Sequence, residues 1–527
     1  MLLKQIKLST LIIFFFMPFL SVAQETNEKG LDDKINEAFT PIANWFEAVI
    51  LHDFPFTASL FGNGIPTIII LLVGGALFFT IYFGFVNIRH FSTAINIVRG
   101  KFDSLDKKKN NNTDGEVTHF QALATAVSGT VGNGNIAGVA MAIAIGGPGA
   151  TFWMILCGLI GMSTKFVECT LGVKYRDIGE DGTVYGGPMY YMTKGLREIG
   201  FERLGKFLAV IFAFLCIGAS FGGGNAAQSN QAAMQLVNSF GMTGGSARTI
   251  IGLIMMIFVG IIIIGGIKRI ASVTEKIVPF MALMYIIACL YIILTNITFV
   301  DDAFGMIFSQ AFSPNAGLGG FLGVLITGFR RAAFSNEAGA GSASIAHSAV
   351  KTNYPASEGL VALLEPFIDT VVICTLTALV IIIFNGDSTV FDYGGVGGVV
   401  MIDGTPAEGA SITAAAFSKY IAFSGPFLTL AVVLFAVSTM ISWSYYGLQS
   451  WIYVFGKSKA ADLTYKILFL LFIVIGAAGD MSSVWGFSDA MILGLVFPNM
   501  VGLFFLYPKV KDELGRYSNA ILSLVKK

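Results

Sequence analysis

The chain has 527 residues, of which 55% are hydrophobic and only 13% charged, against about a quarter charged in a soluble domain. Mean hydropathy is +0.74, and 33 basic residues balance 33 acidic ones. A surface this poor in charge excludes a disordered chain, a nucleic-acid binder and an ordinary soluble enzyme; the partner it implies is the lipid bilayer, and the fold class is an all-α polytopic membrane protein.

At the N-terminus Lys4 and Lys7 precede the apolar run Leu11 to Leu20 and the small-x-small triplet Ser21-Val22-Ala23. Residues 1–23 therefore read as a signal peptide, or as an uncleaved anchor. Either way residues 24–64 belong outside the cytoplasm. They are acidic, and Ile35, Phe39, Ile42, Trp45, Phe46, Val49 and Ile50 give residues 35–51 one apolar face, the pattern of a helix lying on a membrane surface.

A transmembrane domain over 65–507 follows. Spanning stretches fall at about 65–86, 120–146, 149–173, 205–235, 247–267, 275–296, 317–341, 359–384, 425–454, 463–479 and 484–507, about eleven in all. Lys and Arg set the orientation. With the mature N-terminus outside, the inner loops collect Arg89, Arg99, Lys101, Lys107, Lys108 and Lys109, then Lys174, Arg176, Lys194 and Arg197, then Lys268, Arg269 and Lys276, and a cytoplasmic tail over 508–527. The outer segments hold Lys29, Lys34, Arg248 and Lys419. This places the chain in the plasma membrane, in a bacterium the inner membrane.

Two spans are interrupted. Within 124–138 (ATAVSGTVGNGNIAG), Gly129, Gly132 and Gly134 alternate with Ser128, Thr130, Asn133 and Asn135 and weaken the helix where every backbone group needs an internal partner. Within 327–344 (TGFRRAAFSNEAGAGSAS) stand Arg330, Arg331, Asn336 and Glu337. Charges at that depth are costly. Either they keep a partner or cavity, or the two arginines snorkel from a cytoplasmic helix end. The interruptions fall in the second and seventh spans. Setting the first span aside leaves five plus five, and five being odd, the two halves (about 120–296 and 317–507) run in opposite directions. Interrupted helices at matching places in inverted halves point to a transporter binding site.

Between the two breaks, Lys165 and Glu168 are spaced i,i+3 and can pair. The fourth span carries GASFGGGNAAQSNQAA (218–233), where Gly223 and Gln228 suggest a pocket wall, or the polar outer end of a helix. Glu365 and Asp369 are spaced i,i+4, so one is protonated or both face a cytoplasmic vestibule. Ser438 and Thr439 offer hydroxyls at mid-span, or bond back to their own helix. The cysteines (157, 169, 216, 289, 374) all lie in apolar stretches without pairing motifs, and His52, His90, His119 and His347 fall at or outside the span ends with no metal or nucleophile–base spacing. No catalytic residue and no resident cofactor is expected. A channel fits two interrupted helices in inverted halves less well.

GNGNIAGVA (132–140), GGPGATFWM (146–154), GGPMYYMTKGL (186–196), FSNEAGAGSASIAHSA (334–349) and EPFIDTVVICTLTALVI (365–381) resemble the alanine/glycine:cation symporters, the sodium:alanine symporter family. The resemblance implies a LeuT-type five-plus-five fold, for which inverted repeats are the known organisation. It also implies sodium-coupled import of alanine or glycine, with Na⁺ as the coupling ion; proton coupling is the alternative. On this reading Thr130, Gly132, Gly134, Asn135, Gly223, Gln228, Thr327 and Phe329 bind the amino acid. Ser128, Val131, Ser438 and Thr439 bind sodium. Glu168, Arg331, Asn336 and Glu337 act in structure and gating.

Overall fold

The computed structural model describes residues 31–525 except 55–56, 58–63, 107–114, 243–245, 313–319, 387–388 and 423. The signal-peptide reading of 1–23 lies outside the described residues. The fold is almost entirely helical, with two-residue strands Asp177–Ile178 and Val184–Tyr185 forming one hairpin and Val400–Ile402 with Thr405–Ala407 another. Each stretch read as a span falls on a helix. Among the described residues, seven helices are long and apolar enough to cross a bilayer by themselves: Gly149–Lys174, Glu202–Phe240, Gly266–Thr295, Pro355–Asn385, Ser424–Phe455, Lys459–Ala478 and Met481–Leu524. Shorter apolar helices cover Thr67–Tyr82, Gly134–Gly146 and Ala247–Ile263. The protein is thus an all-α, multi-pass membrane protein.

The first interruption is real and local. Helix His119–Thr130 starts on a capping box: the Thr118 hydroxyl accepts the Gln121 N–H (3.2 Å) and the Gln121 carboxamide accepts that of Thr118 (3.1 Å). It ends at Val131, whose ψ of 90° leaves the helical region. The chain turns through Gly132 and Asn133 and resumes at Gly134, continuing to Gly146. The second interruption follows helix Gly320–Asn336. Glu337 takes φ 56°, a left-handed conformation uncommon for a side chain larger than glycine, and helix resumes only at Ala343–His347.

One expectation needs correction, and one alternative is decided. Leu31–Ile50 is a helix, but it does not simply lie on lipid. Phe39, Ala43 and Phe46 recur at helical spacing and meet helix Met481–Gly494, with Phe39 and Phe46 edge-on to Phe487 at 5.3 and 5.7 Å. The arginines do not snorkel toward the inner face. Arg330 Nε donates to Asp489 (2.8 Å) and its Nη2 to Glu47 (3.1 Å), while Arg331 pairs with Asp489 and lies over the Phe334 and Trp485 rings. They keep partners because a charge unpaired at that depth is far more costly.

Candidate functional site

The first break frees backbone oxygens and supplies partners for its own N–H groups. In an unbroken helix the N–H of Gly132 would go to the carbonyl of Ser128. Here it goes to the Asn135 side-chain oxygen (2.8 Å), and the Asn135 N–H goes to Gly132 O (3.1 Å) rather than to Val131 O. The carbonyls of Ser128 and Val131 are therefore released from the ladder. Both turn to helix Ser424–Phe455: Thr439 Oγ1 donates to Ser128 O at 3.0 Å and lies 3.5 Å from Val131 O. The Ser128 hydroxyl donates to Ser438 O at 2.8 Å. Residues some three hundred positions apart thus form one small nest of neutral oxygens. Gly132 permits it, since a Cβ there would stand 2.4 Å from Thr439 Oγ1.

The Ser438 hydroxyl does not join. It donates back to Phe435 O (3.0 Å), so Ser438 faces the break through its carbonyl. Thr130 also bonds back, to Ala126 O and Val127 O, both at 3.3 Å.

On the other side of the turn, the polar patch of the fourth span comes in. Gln228 Oε1 accepts the Asn133 N–H (2.9 Å), its own carbonyl accepts Asn133 Nδ2 (3.2 Å), and its Nε2 donates to Gly223 O (2.9 Å). Gly222–Ala226 forms a wide turn here inside the fourth span. Gly223 gives room to Ile492 and Phe334, which a Cβ would meet at 2.3 and 3.3 Å. Phe334 stacks on Trp485, centroids 4.9 Å apart, and faces Gly134. Asn133 Oδ1, Tyr446 Oη and Trp485 Nε1 are buried around this helix without a hydrogen-bond partner among the described residues.

Thr327 and Phe329 are not brought to this cluster. They lie between two and three turns before the second break, Thr327 beside Gly146 and Phe329 beside Trp153, the Phe329 and Trp153 ring centroids 5.8 Å apart. Phe334 and Ser335, nearer the break, take the place expected of them. The second break reaches the first through Asp369, whose carboxylate accepts Asn135 Nδ2 (2.6 Å) and the hydroxyls of Ser335 (2.8 Å) and Thr370 (2.7 Å). Asn336 holds the turn: its oxygen accepts the Ala338 N–H (3.0 Å) and its amide donates to Thr370 (2.9 Å).

Glu168 accepts the free N–H of Gly339 (2.9 Å) and the Asn499 amide (2.7 Å). It does not pair with Lys165, which reaches Glu365 at 2.9 Å with both side chains fully buried. Glu365 and Asp369 have different hydrogen-bond partners, Lys165 for the first and Asn135, Ser335 and Thr370 for the second. Glu337 accepts Trp443 Nε1 (2.9 Å) and the Ser342 hydroxyl. Sequence reasoning also misplaced His347: it is fully buried, and it and His119 both meet Glu358. Glu358, seven residues and so two turns before Glu365, was the signal available.

A profile of the sodium:alanine symporter family matches residues 50–525. The Sodium/alanine symporter AgcS of Methanococcus maripaludis is 40% identical, over 86% of this chain and 94% of its own. Two Bacillus subtilis proteins are each 34% identical: GlnT, named a probable sodium/glutamine symporter (86% of this chain, 87% of its own), and YrbD, whose name describes a putative sodium/proton-dependent alanine carrier (83% and 87%). These are transporters by name, not enzymes. With a profile spanning nearly the whole described chain and a relative alike across almost its full length, the chain belongs to the sodium:alanine symporter family.

Proposed function

We propose that the chain imports small neutral amino acids, alanine and glycine, across the plasma membrane in symport with Na⁺, by alternating access. The observation that carries this reading is the nest at the first break. Ser128 O, Val131 O and Thr439 Oγ1 converge with Ser438 O close by, and no carboxylate is bonded to them. Neutral carbonyl and hydroxyl oxygens are the ligands a hard monovalent cation prefers. The half-helix from Gly134 turns its N-terminus toward the break, where the positive end of its dipole suits a carboxylate. Phe334, Trp485 and Ile492 close in on Gly134 and Gly223, which favours a methyl or hydrogen side chain over a long one.

A five-plus-five organisation, with inverted repeats about 120–296 and 317–507, is part of this reading; it is supported by the tie between the two interruptions, Asn135 and Ser335 both donating to Asp369. The mature N-terminus outside and the C-terminus inside follow from the loop charges. The test is radiolabelled alanine uptake into proteoliposomes under an inward sodium, lithium or proton gradient. Concentrative uptake with sodium alone is expected. Uptake driven equally by a proton gradient without sodium refutes sodium coupling, and accumulation without any cation gradient refutes symport.

A further inference from the structure

Beneath the site, on the side that the loop charges place in the cytoplasm, five ionisable side chains form a continuous buried chain. His119 Nδ1 bonds Glu358 Oε2, and His347 Nδ1 bonds Glu358 Oε1 at 2.5 Å. His347 Nε2 faces Glu365 Oε2 at 3.5 Å, and Lys165 Nζ bonds Glu365 Oε1 at 2.9 Å. His119 has 12% of its side chain exposed; the other four have none. Four elements meet here: the inner ends of both broken helices, helix Gly149–Lys174, and helix Pro355–Asn385.

The geometry fixes where protons sit. Ionised Glu358 accepts, so Nδ1 of each histidine carries a hydrogen. Among the described residues, His347 Nε2 and Glu365 Oε2 have no other partner. Were Nε2 bare, a lone pair would face a carboxylate oxygen in a dry interior, which is repulsive. With a second proton, His347 donates to both carboxylates. The group Glu358, Glu365, His347 and Lys165 then sums to zero charge, whereas a neutral His347 leaves a net buried anion.

Other charged groups face this cluster from each packed element. Glu168 and Glu337 face Lys165 from its own helix and from the second break, and Asp103 and Asp106 face His119 from the loop before it. Burial holds the Asp106 carboxyl above the usual carboxylate range. Arg176 caps the carbonyls of Ser348 and Val350 at 2.7 and 2.5 Å, just beyond His347. The acidic groups outnumber the basic ones, which favours the added proton.

We infer that His347 is a proton-binding site, filled from the cytoplasm by way of His119 and Glu358, that clasps the inner halves of the two broken helices and must release its proton for the inner side to open. The step is a proton relay that balances: a hydronium ion gives its proton to the partly exposed His119 and leaves as water, His119 passes its Nδ1 proton to Glu358, and Glu358 passes one to Nδ1 of a neutral His347 that keeps its proton on Nε2 toward Glu365; the reverse returns it. The inference rests on the transport reading and on its orientation, and proton binding here is separate from the ion that drives uptake.

The test reconstitutes the full chain with a sodium gradient and varies internal pH from about 6 to about 8.5, the range where an imidazole titrates. Wild-type alanine uptake is expected to rise severalfold with internal pH, and His347→Gln to be flat. If that variant does not fold, His119→Gln takes its place and should lose most of the slope. A flat wild type, or a foldable variant keeping the wild-type slope, overturns the proposal. Histidine-selective ¹⁵N spectra of the purified protein at pH about 8 give a second reading: a doubly protonated histidine present in the wild type and absent from His347→Gln. Its absence from the wild type overturns the site whatever uptake shows. Its presence in a protein without sodium-driven uptake overturns only the transport reading.

Discussion

Thr439→Ala separates the proposed sodium site from the rest of the pocket. The hydroxyl is the one side-chain oxygen that reaches both freed carbonyls, at 3.0 and 3.5 Å. A hydrogen-bond-strength contact to a charged group contributes about 1.5–3 kcal/mol, so losing one sodium ligand converts to roughly a 10- to 150-fold rise in the sodium concentration for half-maximal uptake. Alanine affinity at saturating sodium should move much less, because no contact between Thr439 and the half-helix at Gly134 is involved. The companion variant Ser438→Ala is the internal control: its hydroxyl bonds Phe435 O, and the carbonyl facing Ser128 survives the substitution. The assay is initial-rate alanine uptake in proteoliposomes against sodium concentration, with thermal unfolding to confirm that both variants fold. A Thr439→Ala protein with wild-type sodium dependence refutes the site. Equal large shifts in both variants show instead that the effect is helix packing.

Gly134→Ala should retain uptake, since an added Cβ would stand 3.5 Å from Phe334, an ordinary contact; Gly134→Val should abolish alanine binding while inserting normally, checked by binding to purified protein. Glu168→Gln keeps acceptors for Gly339 and Asn499, so uptake should fall without reordering the preference among alanine, glycine and serine; a reordered preference in competition assays places Glu168 in the pocket. Lys165→Met strands Glu365 in a dry interior and should lower stability by about 3–5 kcal/mol, seen as a drop in unfolding temperature in detergent. The double variant Lys165→Met/Glu365→Leu should recover most of it.

Much of this was legible because the signal was local. Gly132, Asn133 and Gly134 in an apolar span announce a break whatever surrounds them, and the Ser128 and Thr439 oxygens lie at the depth their spans imply. The failures were all long-range. Lys165 has an acid at i+3, yet it pairs with Glu365, 200 residues on, because the two helices lie side by side. Arg331 looked like an inner-face residue because the run after it is polar; its partner Asp489 comes from another helix entirely. Thr327 and Phe329 share the second broken helix with Phe334 but lie farther from the break along it, beside Gly146 and Trp153, and sequence alone does not fix how far along an apolar helix the pocket reaches.

The same geometry bears on how ion and amino acid are coupled. Asn135 donates to Asp369 and accepts from Gly132, so one side chain closes the turn whose opening frees Ser128 O and Val131 O. An amino acid drawing on the N–H groups beyond the turn, and a cation drawing on the carbonyls before it, both favour the same broken conformation. Each therefore raises the affinity for the other by the same factor, as linkage requires. Thr439 ties that conformation to helix Ser424–Phe455, which lies in the other half of the chain. A sodium ion held there would fasten the two halves together only while the turn is broken. The coupling then needs no direct contact between ion and substrate: it resides in the backbone at Val131 and Gly132, which cannot be helical and loaded at once.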